Sequence, residues 1–185
     1  PTLNTQNNAS GMEKVSIYNY YASKDGTTYD SGNGFLGYDS QKEHTYRQIV
    51  QFKNLPSIPR GAVVIDAKMY YAQTNFDPYT MTKLYIAAKE VEVNEQTHPW
   101  GVKKTWANLP SYSDTVLDYK VLSSSTTNTY IGWDITSLVK ERYNSENLPS
   151  YSSFALVTYD ESVYKNTYCA KATINQSNTK GFFSN

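Results

Sequence analysis

Cysteine and histidine are nearly absent from this sequence. There is one cysteine, Cys169, and there are two histidines, His44 and His98. A single cysteine excludes an internal disulfide and a zinc site of the cysteine type. Cys169 lies in "TYCAKAT", a strand-like setting in which a small, packed and unreactive side chain is expected. Neither histidine sits in a motif that would activate it. No apolar run approaches the roughly 18 residues that a membrane-spanning helix requires, so no membrane insertion is expected. An excess of one charge is also lacking. Lys+Arg and Asp+Glu both number 17, for a formal net charge of zero. No global field draws such a chain onto nucleic acid or an anionic membrane, and no nucleic-acid partner is expected. There is no G-x-S-x-G elbow, no H-E-x-x-H helix and no phosphate-cradling glycine loop. The expectation is therefore a protein that is not an enzyme. No secretory leader is read in these residues, and the first residue is Pro1 rather than Met. The chain is expected to be a piece of a longer protein, with its address elsewhere.

What the chain does contain is tyrosine, 18 of them, in a composition that is 15% aromatic. Aromatic-rich, leucine-poor sequence favours sheet over helix bundle. Residues 1–12, "PTLNTQNNASGM", are polar and aperiodic and read as a linker or tail. Residues 13–185 read as a single domain, an ordinary size for one β-sandwich. Strand patterns occur in "EKVSIYNYYAS", "FLGYD", "YRQIVQFK", "AVVIDAKMYY", "KLYIAAKEVEV", "YIGW" and "SFALVTY". The cleanest alternation puts Val63, Ile65, Ala67, Met69 and Tyr71 on one face. Pro56 and Pro59 lie between two of these runs, where a missing N–H costs no ladder bond. "TNFDPYTMT" reads as a turn. Residues 96–115 have no period and read as a long loop or a broken strand. In "DITSLVKERY", Ile135, Leu138 and Val139 follow helical spacing and Asp134 is placed as the N-cap. Many strands, one short helix and turn signals about every ten residues give an all-β sandwich.

Carboxylates that could do chemistry are few. Glu90 and Glu92 share one face of a strand and read as a solvated strand face. Asp25, Asp30 and Asn33 in "KDGTTYDSGNG" are the only metal candidates. Oxygen ligands in a glycine-rich loop suit calcium, but their spacing does not follow an EF-hand loop, and turn chemistry accounts for the same residues. No other cofactor is expected.

Four segments in order, "YRQIVQFKNLPSIPRGAVVIDAKMYY", "WGVKKTWANLP", "GWDITSLVKERY" and "SFALVTYDES", resemble the DNRLRE domain family. The matching residues are Arg47, Phe52, Pro59, Gly61, Ala67, Thr105, Trp106, Pro110, Asp134, Thr136, Leu138 and Val139. The chain departs from the pattern at Val102, where an acidic residue is usual, and at Ser153, where a glycine is usual. The resemblance implies a jelly-roll-like β-sandwich with one short helix. It also implies an extracellular or cell-wall-associated bacterial protein, with RHS-type repeats or polysaccharide-degrading enzymes as neighbouring domains. On this footing the expected function is a non-catalytic structural or interaction module of a large surface or secreted, RHS-like protein. The alternative is a carbohydrate-binding module for an acidic polysaccharide. The partners are then a polysaccharide or the neighbouring domains.

For an acidic glycan the candidate binding residues are Arg47, Lys24, Lys42, Tyr38 and Tyr46: cations for carboxylates and aromatic faces for sugar rings. For Arg47 the competing role is a buried structural arginine paired with an acid such as Asp66. Phe52, Trp106, Pro110, Asp134, Leu138 and Val139 are expected to be structural, with Trp106 buried. The resemblance also implies a further C-terminal strand after Phe182, Phe183 and Ser184. Its lack predicts either a vacant sheet edge open to strand addition or a sheet in which "TYCAKATIN" already fills that slot.

Overall fold

The computed structural model describes residues 2–4, 16–23, 28–29, 33–53, 63–91, 110–144, 151–158 and 170–184. The strands are β1 (Thr2–Asn4), β2 (Ser16–Ser23), β3 (Thr28–Tyr29), β4 (Asn33–Asp39), β5 (His44–Lys53), β6 (Asp66–Asp77), β7 (Lys83–Val91), β8 (Tyr112–Ser123), β9 (Thr129–Asp134), β10 (Tyr151–Thr158) and β11 (Lys171–Ser184), with the helix α1 (Thr136–Asn144) between β9 and β10. Among the described residues, every strand pair is antiparallel.

From β4 onward the pairing is nested. β7 pairs with β8, β6 with β9, β5 with β10 and β4 with β11. A long double ribbon is thus folded on itself, and β10–β7 and β11–β6 contacts seal the fold. The result is two four-stranded layers, β8-β7-β10-β5 and β4-β11-β6-β9. This is the jelly-roll order, the double Greek key in which eight strands make two packed sheets. β2 extends the first layer beside β5, and β1 pairs with β11.

The two layers are joined through β4. Its Asn33–Gly37 part pairs with β11, and its Gly37–Asp39 part pairs with β5. A strand that changes sheets must bend. Gly37 supplies the bend with φ 99°, and a Cβ there would stand 2.3 Å from the Ala170 carbonyl oxygen. Both the dihedral and the close approach demand glycine. The same carbonyl accepts the Tyr38 N–H at 2.9 Å.

Between the layers lies one apolar core that includes Leu36, Val50, Met69, Tyr71, Leu84, Ile86, Leu122, Trp133, Phe154, Leu156 and Ile174. Trp133 of β9 is fully buried and donates its indole N–H to the Ile86 carbonyl of β7 at 3.0 Å, tying one layer to the other. The helix is docked by a hydroxyl. Thr136 Oγ1 accepts from the Ala67 N–H at 2.9 Å and donates to the Ala67 carbonyl at 3.3 Å. Ile135, Leu138 and Val139 enter the core beside it. At the β8–β9 turn, buried Gln73 of β6 donates to the Ser123 carbonyl at 2.8 Å and accepts from Thr126 Oγ1 at 2.7 Å.

Several sequence expectations change. Val63 and Ile65 are 68% and 67% exposed, while Val64 is buried. The chain enters β6 only at Asp66, so the alternation that starts at Ala67 does not extend back through the extended residues before it. The turn read at residues 74–82 begins later, since Thr74–Asp77 complete β6. β8 carries no strand signal in the sequence because, as an end strand of its layer, it is mostly half-exposed on both faces. Within the expected polar tail, Thr2–Asn4 pair with Lys180–Phe182. Among the described residues, the stretch Lys180–Phe182 of the C-terminal segment has no vacant edge. Lys180–Phe182 pair with β1 on one side and with Met69 and its neighbours on the other, because β11 outruns β4 and becomes an interior strand. Trp106, Cys169 and residues 5–15 lie outside the described residues.

Two substitutions test this architecture in urea unfolding. Gly37→Ala is expected to cost more than about 2 kcal/mol, from the strained dihedral and the clash together. Trp133→Phe is expected to cost about 1–3 kcal/mol, by leaving the Ile86 carbonyl buried without its donor. A stability equal to that of the parent in either variant would contradict the corresponding contact.

Candidate binding face

Cross-strand partners in a sheet share a face, and residues two apart along a strand share it too. Ala155 of β10 stands between Ile49 of β5 and Lys89 of β7. Val157 pairs with Ala87, and Ala87 pairs in turn with Tyr119 of β8. These residues therefore lie on the side of the β8-β7-β10-β5 layer that faces away from the core, together with Arg47, Tyr85 and Val91. Ile49, Ala87, Val91, Ala155 and Val157 form a second, smaller apolar cluster there, with Tyr112 and Val116 packed against it.

Two cations converge on this floor. The Arg47 guanidinium carbon and Lys89 Nζ each lie 5.1 Å from the centre of the Tyr112 ring. Both distances are within cation–π range. Each cation thus meets the ring's quadrupole. Further along, Tyr85 and Tyr119 are 36% and 54% exposed. Tyr85 and Lys89 are four residues apart on β7, which is about 13 Å at the usual strand rise. Toward one end stand the exposed rings of Tyr85 and Tyr119, toward the other the half-buried cations Arg47 and Lys89 at Tyr112, with buried apolar residues between them.

Of the described residues proposed from sequence for ligand binding, Arg47 alone is placed on this face. Asp66, its suggested acidic partner, binds Lys68 Nζ at 2.8 Å. Tyr38 and Tyr46 are 6% and 4% exposed, so neither ring offers a sugar a face to stack on. Tyr46 packs on Phe35 with ring centres 5.2 Å apart, and its hydroxyl lies 3.4 Å from His44 Nδ1. Lys42 is exposed in the β4–β5 turn, where its N–H donates to Asp39 Oδ1. Lys24, Asp25 and Asp30 lie outside the described residues. Asn33 and Phe52 are strand residues of β4 and β5, and Phe52 pairs with Ile17 and Ser152. Pro110 is buried. Glu90 is ion-paired with Arg142 of α1 rather than simply solvated. Lys89, Tyr112, Tyr85 and Tyr119 were missed because the sequence does not show that β8 is a strand beside β7. Only that pairing brings Tyr112 to Lys89.

Among the described residues, no group of three or more His, Cys, Asp and Glu side chains could hold a metal ion, and no helix is long and apolar enough to cross a membrane. A second polar centre lies at the sheet corner. Lys171 Nζ is 2.8 Å from Asp39 Oδ2 and 3.2 Å from Asp77 Oδ2. Burial pushes the Asp39 carboxyl up, but the Lys171 ammonium and the Lys42 N–H outweigh it and hold the group below its ordinary value. Burial pulls Lys171 down, and the two carboxylates more than reverse this and push it up.

No family model matches the chain, and a search of curated proteins finds no match either.

Asp134 offers a test by titration. Its Oδ1 accepts the Thr136 N–H at 2.8 Å at the start of α1. That residue's hydrogen bonds hold Asp134 below its ordinary value of 3.8, against burial and with help from Lys68 and Lys120. A carboxyl depressed in the folded state stabilises fully above its unfolded pKa and loses that contribution as pH falls through the folded one. Asp134→Asn keeps an oxygen for the Thr136 N–H but does not titrate. The parent's stability advantage over this variant should therefore shrink as pH falls below 3.8. An advantage that is constant from neutral pH downward would contradict the assignment.

Proposed function

We propose that the chain is a non-catalytic structural or interaction module of a large bacterial cell-surface or secreted protein, RHS-like in kind. The observation that carries this reading is where the polar side chains are spent. Lys171 binds both Asp39 and Asp77 at the sheet corner. Gln73 holds the β8–β9 turn, and Thr136 docks the helix. Each of these groups is engaged in holding strands together. The jelly-roll order adds support through the likeness to the DNRLRE family, whose neighbours imply an extracellular or wall-associated setting. Neighbouring domains of the parent protein are then its partners.

A second reading, a carbohydrate-binding module for an acidic polysaccharide, is favoured by one specific observation: Arg47 and Lys89 meet on Tyr112, beside the exposed rings of Tyr85 and Tyr119. A tyrosine ring covering about 60 Å² of a sugar contributes roughly 1.5 kcal/mol. Two rings give about 3 kcal/mol, short of the roughly 4 kcal/mol that millimolar affinity needs. Carboxylates on the glycan would supply the rest through the two cations, and neutral glycans would not.

A glycan array at low ionic strength, where such contacts are least screened, separates the two readings. Binding to polyuronates but not to neutral glycans is expected under the second. Arg47→Ala and Lys89→Ala should each weaken it by about tenfold, or about 1.4 kcal/mol. No acidic-glycan signal, or one indifferent to both substitutions, would remove the glycan reading and leave the structural one. Turnover of any polysaccharide by the isolated chain would overturn both.

A further inference from the structure

The corner cluster has more in it than an ion pair requires. Lys171 is the first residue of β11 and is paired through its backbone with Gly37 of β4 and Asp77 of β6. Its amine is held between two carboxylates, 2.8 Å from Asp39 Oδ2 and 3.2 Å from Asp77 Oδ2. The side chains of Lys171 and Asp39 are only 15% and 2% exposed. The Phe35 ring lies 5.4 Å from the amine and the Tyr79 ring 5.9 Å. The other oxygen of Asp39 accepts two backbone N–H groups, from Gln41 at 3.0 Å and Lys42 at 3.2 Å.

From this geometry we infer that Lys171 and Asp39 condense to an isopeptide bond that covalently joins the first and last strands of the jelly roll, with Asp77 as the proton-transfer group. The reaction begins from the ion pair. A proton passes from Nζ to Asp39 Oδ2 along their hydrogen bond, giving a neutral amine and a neutral acid. The nitrogen lone pair attacks Cγ, and the charge that develops on Oδ1 is received by the Gln41 and Lys42 N–H groups, the arrangement of an oxyanion hole. Asp77 takes the second proton from the nitrogen and delivers it to Oδ2. The Cγ–Oδ2 bond breaks and one water leaves. Atoms and charge balance with no oxidant, metal or co-substrate. The resting pair is ionic, so the neutral pair is a minor species and the step is slow. A reaction that each molecule performs once, with its partners already fixed by three paired strands, does not need to be fast.

The bond would close a loop between residues 132 apart in sequence and fasten the two layers where β4 crosses between them. The inference is independent of the glycan face.

Intact-mass measurement of the denatured chain decides it. The parent is expected to weigh one water less than its sequence, and proteolysis should release a branched peptide containing Asp39 and Lys171. Lys171→Arg keeps the positive charge but not the amine and should have its full sequence mass. Asp77→Asn should leave a large unlinked fraction at times when the parent is fully linked. A parent at full sequence mass after prolonged incubation would overturn the inference. So would a missing water that persists in Lys171→Arg, since the loss would then arise elsewhere.

Discussion

The passage of β4 from one sheet to the other is the constraint on which the rest of the structure depends. A jelly roll needs its two layers registered against each other, and here a single strand is hydrogen-bonded to both. At Gly37 the backbone turns through a dihedral that a side chain would oppose and passes too close to Ala170 for any Cβ. Two residues later Asp39 caps the following turn and reaches across to Lys171. The bend and the charged cluster are two parts of one joint. The bend gives the chain its direction, and the cluster fixes β11 and β6 against it.

Away from that joint the layers are tied by single polar contacts set in apolar surroundings. The Trp133 indole N–H spans from β9 to β7. Gln73 holds the turn that connects the outermost strands of the two layers. Thr136 lets a helix begin beside the sheet without leaving the Ala67 N–H unpaired. A buried polar group costs more when unpaired than it contributes when paired, so each contact specifies a unique arrangement more than it adds net stability. The outward face of the β8-β7-β10-β5 layer differs. Its floor is alanine, valine and isoleucine, and its larger groups are tyrosines and two cations at one ring.

Much of the fold was legible in the sequence. The strand around Met69 announces itself because one of its faces is buried, and burial imposes alternation. Asp134, Leu138 and Val139 marked the helix, since helical spacing and a short acidic side chain at its start are local features. β8 was not legible. An end strand that is half-exposed on both faces has no pattern to show. The candidate site suffered in consequence. Arg47 could be singled out from its own strand, but Tyr112 and Lys89 acquire meaning only once β8 lies beside β7. Tyr38 and Tyr46 looked like binding aromatics because aromatic identity is local, and their burial is not.

The sequence by itself determined that the chain is all-β and that one short helix follows "GWD", because composition and short-range periodicity carry that information. The tertiary structure alone decided that β11 is an interior strand, that Trp133 is the core tryptophan of the described residues, and that Lys171 meets Asp39 from 132 residues away. Those facts come from pairings between distant segments. A period of two along the chain says which side chains share a face, but not which strand lies alongside.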